Sequence, residues 1–197
     1  MPPTKERTTR LPTSKQHDSW WGNEHAVSQR FRIETEAMRK LFSPGKPLRV
    51  TYNDIVFDSM ANKYRSGHNH FFVDVKNLRL RQTTDTHKPF CWDINFTIFG
   101  PGLNRTQIYP LEMKIYYSSE YPSDEPHIAI IDTRTDTSLR GGWHQFTAEG
   151  REYSRVCQTD HTDSHLTGHD PARTTASQHA LRALRWLRVK HFGDSQE

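Results

Sequence analysis

Cysteine is scarce in this chain, and so are long apolar runs. Two cysteines in 197 residues are too few for a disulfide framework. No apolar stretch reaches the length of a signal-peptide core or a membrane span. The expectation is therefore a soluble, cytoplasmic protein with no membrane partner. Hydrophobic residues make up only 33% and the mean hydropathy is −0.89, so the core must be economical and the ends loosely held. There is no internal repeat and no recognised nucleic-acid-binding motif. A net charge of +4 permits an acidic partner without demanding nucleic acid, and none is expected. The length suits a single domain able to bury a real core.

Against these absences stands one well-patterned stretch, Cys91 to Pro126. Trp92, Ile94, Phe96 and Ile98 alternate with Asp93, Asn95 and Thr97, the period of a half-buried strand. Gly100, Pro101 and Gly102 break the chain. Leu111, Met113 and Ile115 then alternate with Glu112, Lys114 and Tyr116. Tyr121-Pro122 and Glu125-Pro126 force a stiff extended turn before the short apolar run Ile128–Ile131. The pattern predicts an antiparallel meander with one face buried. Cys91 falls opposite in phase to Trp92 and points to the other face, with nothing nearby to activate it, so it reads as structural.

Residues 1–22 are rich in Pro, Thr, Ser, Lys and Arg and read as a disordered basic tail; residues 23–193 read as the domain. Trp20 and Trp21 either cap the core or serve as a partner-binding anchor. Asn23 is a helix N-cap candidate, and Val27, Phe31, Met38, Leu41 and Phe42 recur at helical spacing until Pro44-Gly45. Arg30, Arg32, Arg39 and Lys40 are expected on the exposed side of this helix. Neither period wins between Leu48 and Tyr64. Phe71, Val73 and Val75 suggest the first strand, continued by Leu78 and Leu80 after a bulge at Asn77. From Asp132 to Arg173 regular structure is expected to lapse into a long loop. A closing helix follows on Ala176, Ala180, Leu181, Leu184 and Leu187, between Pro171 and Gly193. Arg182, Arg185, Arg188 and Lys190 line its polar side, expected to be solvated.

The order of these motifs carries a resemblance. A strand ending in Gly100-Pro101, a strand starting near Tyr109-Pro110, then Glu120-Tyr121-Pro122 with Pro126 and another short strand resembles the centre of the ubiquitin-conjugating enzyme fold, which noncatalytic RWD relatives share. In the long loop, Trp143-His144-Gln145-Phe146, Gly150 and Arg155-Val156-Cys157 resemble that family's active-site segment, and Ala180 to His191 resembles the last helix of its bacterial members. The fold implied is α+β and UBC-like: an N-terminal helix, an antiparallel meander, a long active-site loop and C-terminal helices. The activity implied is that of a ubiquitin-conjugating-like transferase, several bacterial members of which work in antiphage defence operons. The partners implied are a ubiquitin-like protein, an activating enzyme that contacts the opening helix, and a protein target. No cofactor is held by the chain itself.

Within that resemblance Cys157 matches the thioester cysteine and His144 the histidine of the His-Pro-Asn turn. Gln145-Phe146 replaces the Pro-Asn, so the oxyanion-supporting amide is missing unless Gln145 supplies one. The His144-to-Cys157 spacing also exceeds that of the eukaryotic type. A thiol suits the chemistry because it accepts an acyl group and still leaves readily toward an amine; Arg151 and Arg155 lie near enough in sequence to favour the thiolate. Among Asp160, His161, Asp163, His165, His169 and Asp170, which follow, His161 and Asp163 are the first candidates to desolvate or deprotonate an incoming lysine. Two other readings stand beside this one. One is a noncatalytic scaffold of the same fold. The other is a zinc-stabilised protein using Cys157, His161, His165 and His169, whose fourfold spacing is a reasonable donor set but lacks a Cys-x-x-Cys pair.

Overall fold

The structure is a computed structural model describing residues 24–43, 45–58, 63–100, 109–139, 144–156 and 173–187. It is α+β. Helix α1 (Glu24–Leu41) is followed by β1 (Leu48–Asp58), β2 (Lys63–Gln82), β3 (Phe90–Phe99), β4 (Tyr109–Tyr117), β5 (His127–Asp132), β6 (Thr137–Ser138), β7 (Gln145–Ala148), β8 (Arg151–Ser154) and helix α2 (Ala176–Leu187). Strands β1 to β6 form one sheet in sequence order, every neighbour antiparallel, and β7 and β8 form a separate two-stranded ribbon. Among the described residues no helix is long and apolar enough to cross a membrane.

The meander forms where the alternation is strongest. In β3 and β4, Trp92, Ile94, Phe96, Ile98, Leu111, Met113 and Ile115 are all buried in one core, as period-2 side-chain alternation requires. Helices α1 and α2 cover that face, adding Met38, Ala176, Ala180, Ala183, Leu184 and Leu187, with Phe42 just past the end of α1. The undecided stretch from Leu48 resolves into β1, and Phe71, Val73 and Val75 belong to the second strand rather than the first. The strand register steps between Val75 and Asn77, where a bulge was expected. Strand β2 is shared: its first part pairs with β1 and its second with β3.

Three expectations are corrected. The corner between β4 and β5 is compact rather than extended: Tyr121 N–H bonds the Ser118 carbonyl at 3.1 Å and Ser123 N–H the Glu120 carbonyl at 2.8 Å. The sheet has two buried faces, not one: Cys91, Tyr116, Ala129 and Ile131 pack against Phe146, Ala148 and Tyr153. That second core exists because the stretch expected to be irregular, Asp132 to Arg173, contains β6, β7 and β8. These strands are two to four residues long, too short for their alternation to stand out from a polar background.

Helix α2 begins with half of a capping box. The Thr175 N–H donates to the Gln178 side-chain oxygen at 2.9 Å, while the Gln178 N–H bonds the Thr175 carbonyl at 3.1 Å and the Thr175 hydroxyl pairs with that of Ser177 at 2.8 Å. At the other end of the domain core, α1 stops where expected, with Gly45 at φ 73°, a conformation that suits glycine.

Candidate functional site

The candidate active-site segment is carried by the β7–β8 ribbon. Ala148 and Arg151 close a two-residue turn in which Glu149 has φ 51° and Gly150 φ 74°. Two consecutive positive φ values match the twist of a hairpin, but a non-glycine residue resists such a conformation. Glu149 is held there by its carboxylate. Arg81 of β2 donates two bonds to it, each 2.7 Å, and the Tyr116 hydroxyl donates a third at 3.0 Å. The Arg81 bond foremost, against burial, draws the Glu149 carboxyl below its ordinary pKa.

The same arginine reaches further. Arg81 Nε donates to Asp93 at 2.5 Å, and Lys114 bridges Asp93 at 2.9 Å and Glu112 at 3.0 Å. Burial alone would raise the Asp93 pKa, but the bonds from Arg81 and Lys114 outweigh it and lower it. Cys91 lies beneath this cluster, fully buried, its Sγ 3.3 Å from the Trp92 carbonyl. Burial, then the Asp93 charge, pushes its thiol pKa well up. A protonated, enclosed thiol is inert, in keeping with a structural Cys91.

Below the turn, the ribbon is pinned by rings. Phe146 and Tyr153 stack at 5.4 Å between centroids, and Tyr116 meets both at 5.8 Å. His127, at the head of β5, lies 5.1 Å from Phe146. Its Nδ1 is enclosed and has no hydrogen-bond partner among the described residues. Desolvation, then the charges of Arg155 and Lys88, lowers its pKa to about 4. His127 is neutral at physiological pH, and sequence reasoning did not single it out; a lone histidine after a proline carries no signal of its surroundings.

The ribbon leads toward Cys157. His144 stands just before β7, exposed, and its carbonyl accepts the Arg155 N–H at 2.8 Å. Gln145 is exposed and pairs with Ser154 in the regular ladder. Val156 is fully buried and its N–H bonds the Ile128 carbonyl of β5 at 2.8 Å. His144 and Gln145 are thus brought to the strand pair that precedes Cys157. Cys157 itself, with His161, Asp163, His165 and His169, lies outside the described residues, as do Asn23, Trp20, Trp21 and the tail. Of the two expected thiolate-favouring cations, Arg151 is engaged elsewhere: it donates to the Asp136 carboxylate at 2.9 Å and to the Asp136 carbonyl, and lies over the Tyr153 ring. Arg155 is held only loosely, 3.8 Å from Glu125.

A second polar constellation joins the helices to the sheet. Glu34 of α1 is fully buried, and both its oxygens are engaged. Its Oε1 forms an ion pair with Arg30 Nε at 2.8 Å and accepts the Tyr121 hydroxyl. Its Oε2 takes Ala176 N–H at 2.7 Å and the Tyr117 hydroxyl at 3.2 Å, and Trp92 Nε1–H donates to Tyr117 at 3.0 Å. A carboxylate at the first N–H of α2 also faces the positive end of its dipole. Arg30 donates onward to Tyr121 at 2.7 Å and the Thr174 carbonyl at 2.6 Å. Burial opposes the Arg30 charge, but Tyr121 and Glu34 outweigh it and raise its pKa. Arg30 is therefore not an exposed partner-facing cation, although Arg32, Arg39 and Lys40 are exposed. On α2, Arg182 and Arg185 are half-buried rather than fully solvated; Arg188 and Lys190 lie outside the described residues.

Among the described residues no cluster of histidine, cysteine and carboxylates has metal-binding geometry; the cysteine–histidine set weighed for zinc falls beyond them. Comparison with family models, with curated proteins and with solved structures found no match to this chain.

Proposed function

We propose that this chain is a ubiquitin-conjugating-like transferase of bacterial type, acting in the cytoplasm within an antiphage defence system. Cys157 accepts the C-terminus of a ubiquitin-like protein from an activating enzyme: a new thioester forms and the activating enzyme's thiolate leaves. An amine on a protein target then attacks, the amide forms, and the Cys157 thiolate is released.

The observation that carries this reading is how the chain is held just before the cysteine. Val156 is buried and bonded to β5, and Arg155 is bonded to His144, so the chain just before Cys157 is fixed to the sheet beside the exposed His144 and Gln145. Reactive residues favour short segments on rigid scaffolds. Arg155 supplies a loosely held positive charge two residues from Cys157, which favours its thiolate. His161 and Asp163 are the proposed bases toward the incoming amine. Gln145 stands next to His144, where the family's turn continues toward its asparagine, and it is proposed as the oxyanion donor.

The test is the intact mass of the protein after mixing with a cognate activating enzyme, its ubiquitin-like partner and ATP. The expected result is an adduct of the partner less water, removed by thiol and absent in Cys157→Ala, with Cys157→Ser abolishing transfer without unfolding. A second reading, a noncatalytic scaffold, is favoured by one specific observation. Gln145 sits in a regular strand pair with Ser154, where the family has the Pro-Asn of a turn. No adduct in the presence of a charged activating enzyme would establish the scaffold instead.

A further inference from the structure

The head of β5 gathers three basic side chains whose bonding capacity goes unused. His127 Nδ1 is enclosed and has no hydrogen-bond partner among the described residues. The Lys88 ammonium, half-buried, has no ion pair or hydrogen bond among them either. Arg155 is 30% exposed and lies 3.8 Å from Glu125, too far for a hydrogen bond. Three separate stretches bring these side chains together. Across the sheet Cys91 opposes Tyr116 and Tyr116 opposes His127, so the three share the face that the ribbon covers. Lys88 stands three residues before Cys91, and the neighbouring His87 carbonyl accepts the Ser119 N–H at 2.8 Å, tying that segment to the β4–β5 corner. Arg155 is brought to His127 by its successor, since the Val156 N–H bonds the Ile128 carbonyl at 2.8 Å. The Phe146 ring packs 5.1 Å from the imidazole. The charges of Arg155 and Lys88 both oppose protonation of His127, and Asp124 acts the other way from an exposed position.

We propose that Lys88, His127 and Arg155 form a binding site for a phosphate group, either free or carried as a monoester. Donors left without an acceptor are costly where water is scarce, and an oxyanion supplies both the missing acceptors and a negative charge. Lys88 contributes a compact point charge and Arg155 a planar fork of donors. His127 donates from Nδ1, as the neutral tautomer with its proton there or as the imidazolium. Two cations suit a phosphate, whose charge near pH 7 is about −1.5 to −2, better than they suit a single carboxylate. The Glu125 pair with Arg155 is loose and partly exposed, so it gives way at little cost. The inference does not depend on the transferase reading.

The experiment follows the His127 ring protons of the full chain by NMR as the pH is varied. It is run in inorganic phosphate, in phenyl phosphate and in chloride at matched ionic strength. Bound phosphate is expected to raise the His127 titration midpoint from about 4 toward its ordinary 6.5, because an adjacent anion favours the imidazolium. The same midpoint in all three solutions would overturn the proposal. A rise with both ligands supports recognition of the phosphate group itself; a rise with inorganic phosphate alone supports the free ion, and with phenyl phosphate alone the monoester. Lys88→Ala and Arg155→Ala should each weaken phosphate binding about tenfold, with the unfolding midpoint of each variant confirming that it folds. Lys76→Ala removes an exposed cation paired with Asp74 and should leave binding unchanged. Equal weakening in all three variants would mean general charge attraction without a site, and would overturn the proposal.

Discussion

Two polar networks hold this molecule together, and they are built differently. On the helix-covered face, Glu34 is fully buried and touches α1, the β4–β5 corner and the first turn of α2 at once. On the other face, Arg81 and Glu149 are each about a fifth exposed and tie β2 to a hairpin turn. Both pair their charges with opposite ones, but water can replace lost partners only in the second. A buried charge stripped of its partner has nowhere to turn, whereas a partly wet one is screened. The helix-side network therefore acts as a structural knot, and the hairpin-side network as a clamp that positions the segment leading to Cys157.

This contrast can be broken in order of size. Glu34→Ala removes the ion-pair partner of Arg30 and the shared acceptor of two tyrosine hydroxyls and the Ala176 N–H, and is expected to cost about 3–5 kcal/mol, read from denaturant midpoints. Arg81→Ala frees the Glu149 turn and removes one partner of Asp93. Its expected cost is only about 1–2 kcal/mol, discounted for solvent, with the loss of amide protection concentrated in β7 and β8. Equal losses for the two variants would erase the distinction between knot and clamp. Gly150→Ala places a Cβ at φ 74° where no neighbouring atom lies within 4 Å. The cost is then conformational alone, about 1 kcal/mol, and hydrogen exchange should again localise it to the ribbon.

The smallest effect is a pH slope. His127 has a folded pKa of about 4 against an ordinary 6.5. Between those values the unfolded chain binds a proton that the folded chain refuses. The penalty is absent above pH 6.5 and grows as the pH falls toward 4. His127→Gln should flatten the fall in unfolding midpoint between pH 6.5 and 4.5. An unchanged slope would mean that His127 gains a partner in solution. Below pH 4 a separate loss follows, as Asp93 and Glu149, both held ionised by Arg81, take up protons.

Legibility in the sequence tracked the range of the interaction. Strands β3 and β4 were readable because each residue's side is set by its own neighbours, and Trp92 to Ile98 repeat the pattern four times. The stop at Gly45 and the register step beside Asn77 were readable for the same reason. The β7–β8 ribbon was not: its turn is Glu149-Gly150, not the Asn-Gly or Asp-Gly that announces a hairpin, and Glu149 tolerates the turn only because Arg81 holds it from 68 positions away. Arg30 looked like one more surface cation on an amphipathic helix. Its burial depends on Tyr121, 91 positions on, and Thr174, 144 positions on.

By itself, then, the amino-acid order determined the α+β character, the antiparallel meander and the two flanking helices, because burying one face imposes a period of two or of 3.6 on adjacent residues. Only the tertiary structure decided that the sheet has a second buried face, that Glu34 caps α2 across 142 positions, and that Cys91 lies enclosed beneath an ionic cluster. Those outcomes depend on which distant groups arrive at the same point, and no local period records that.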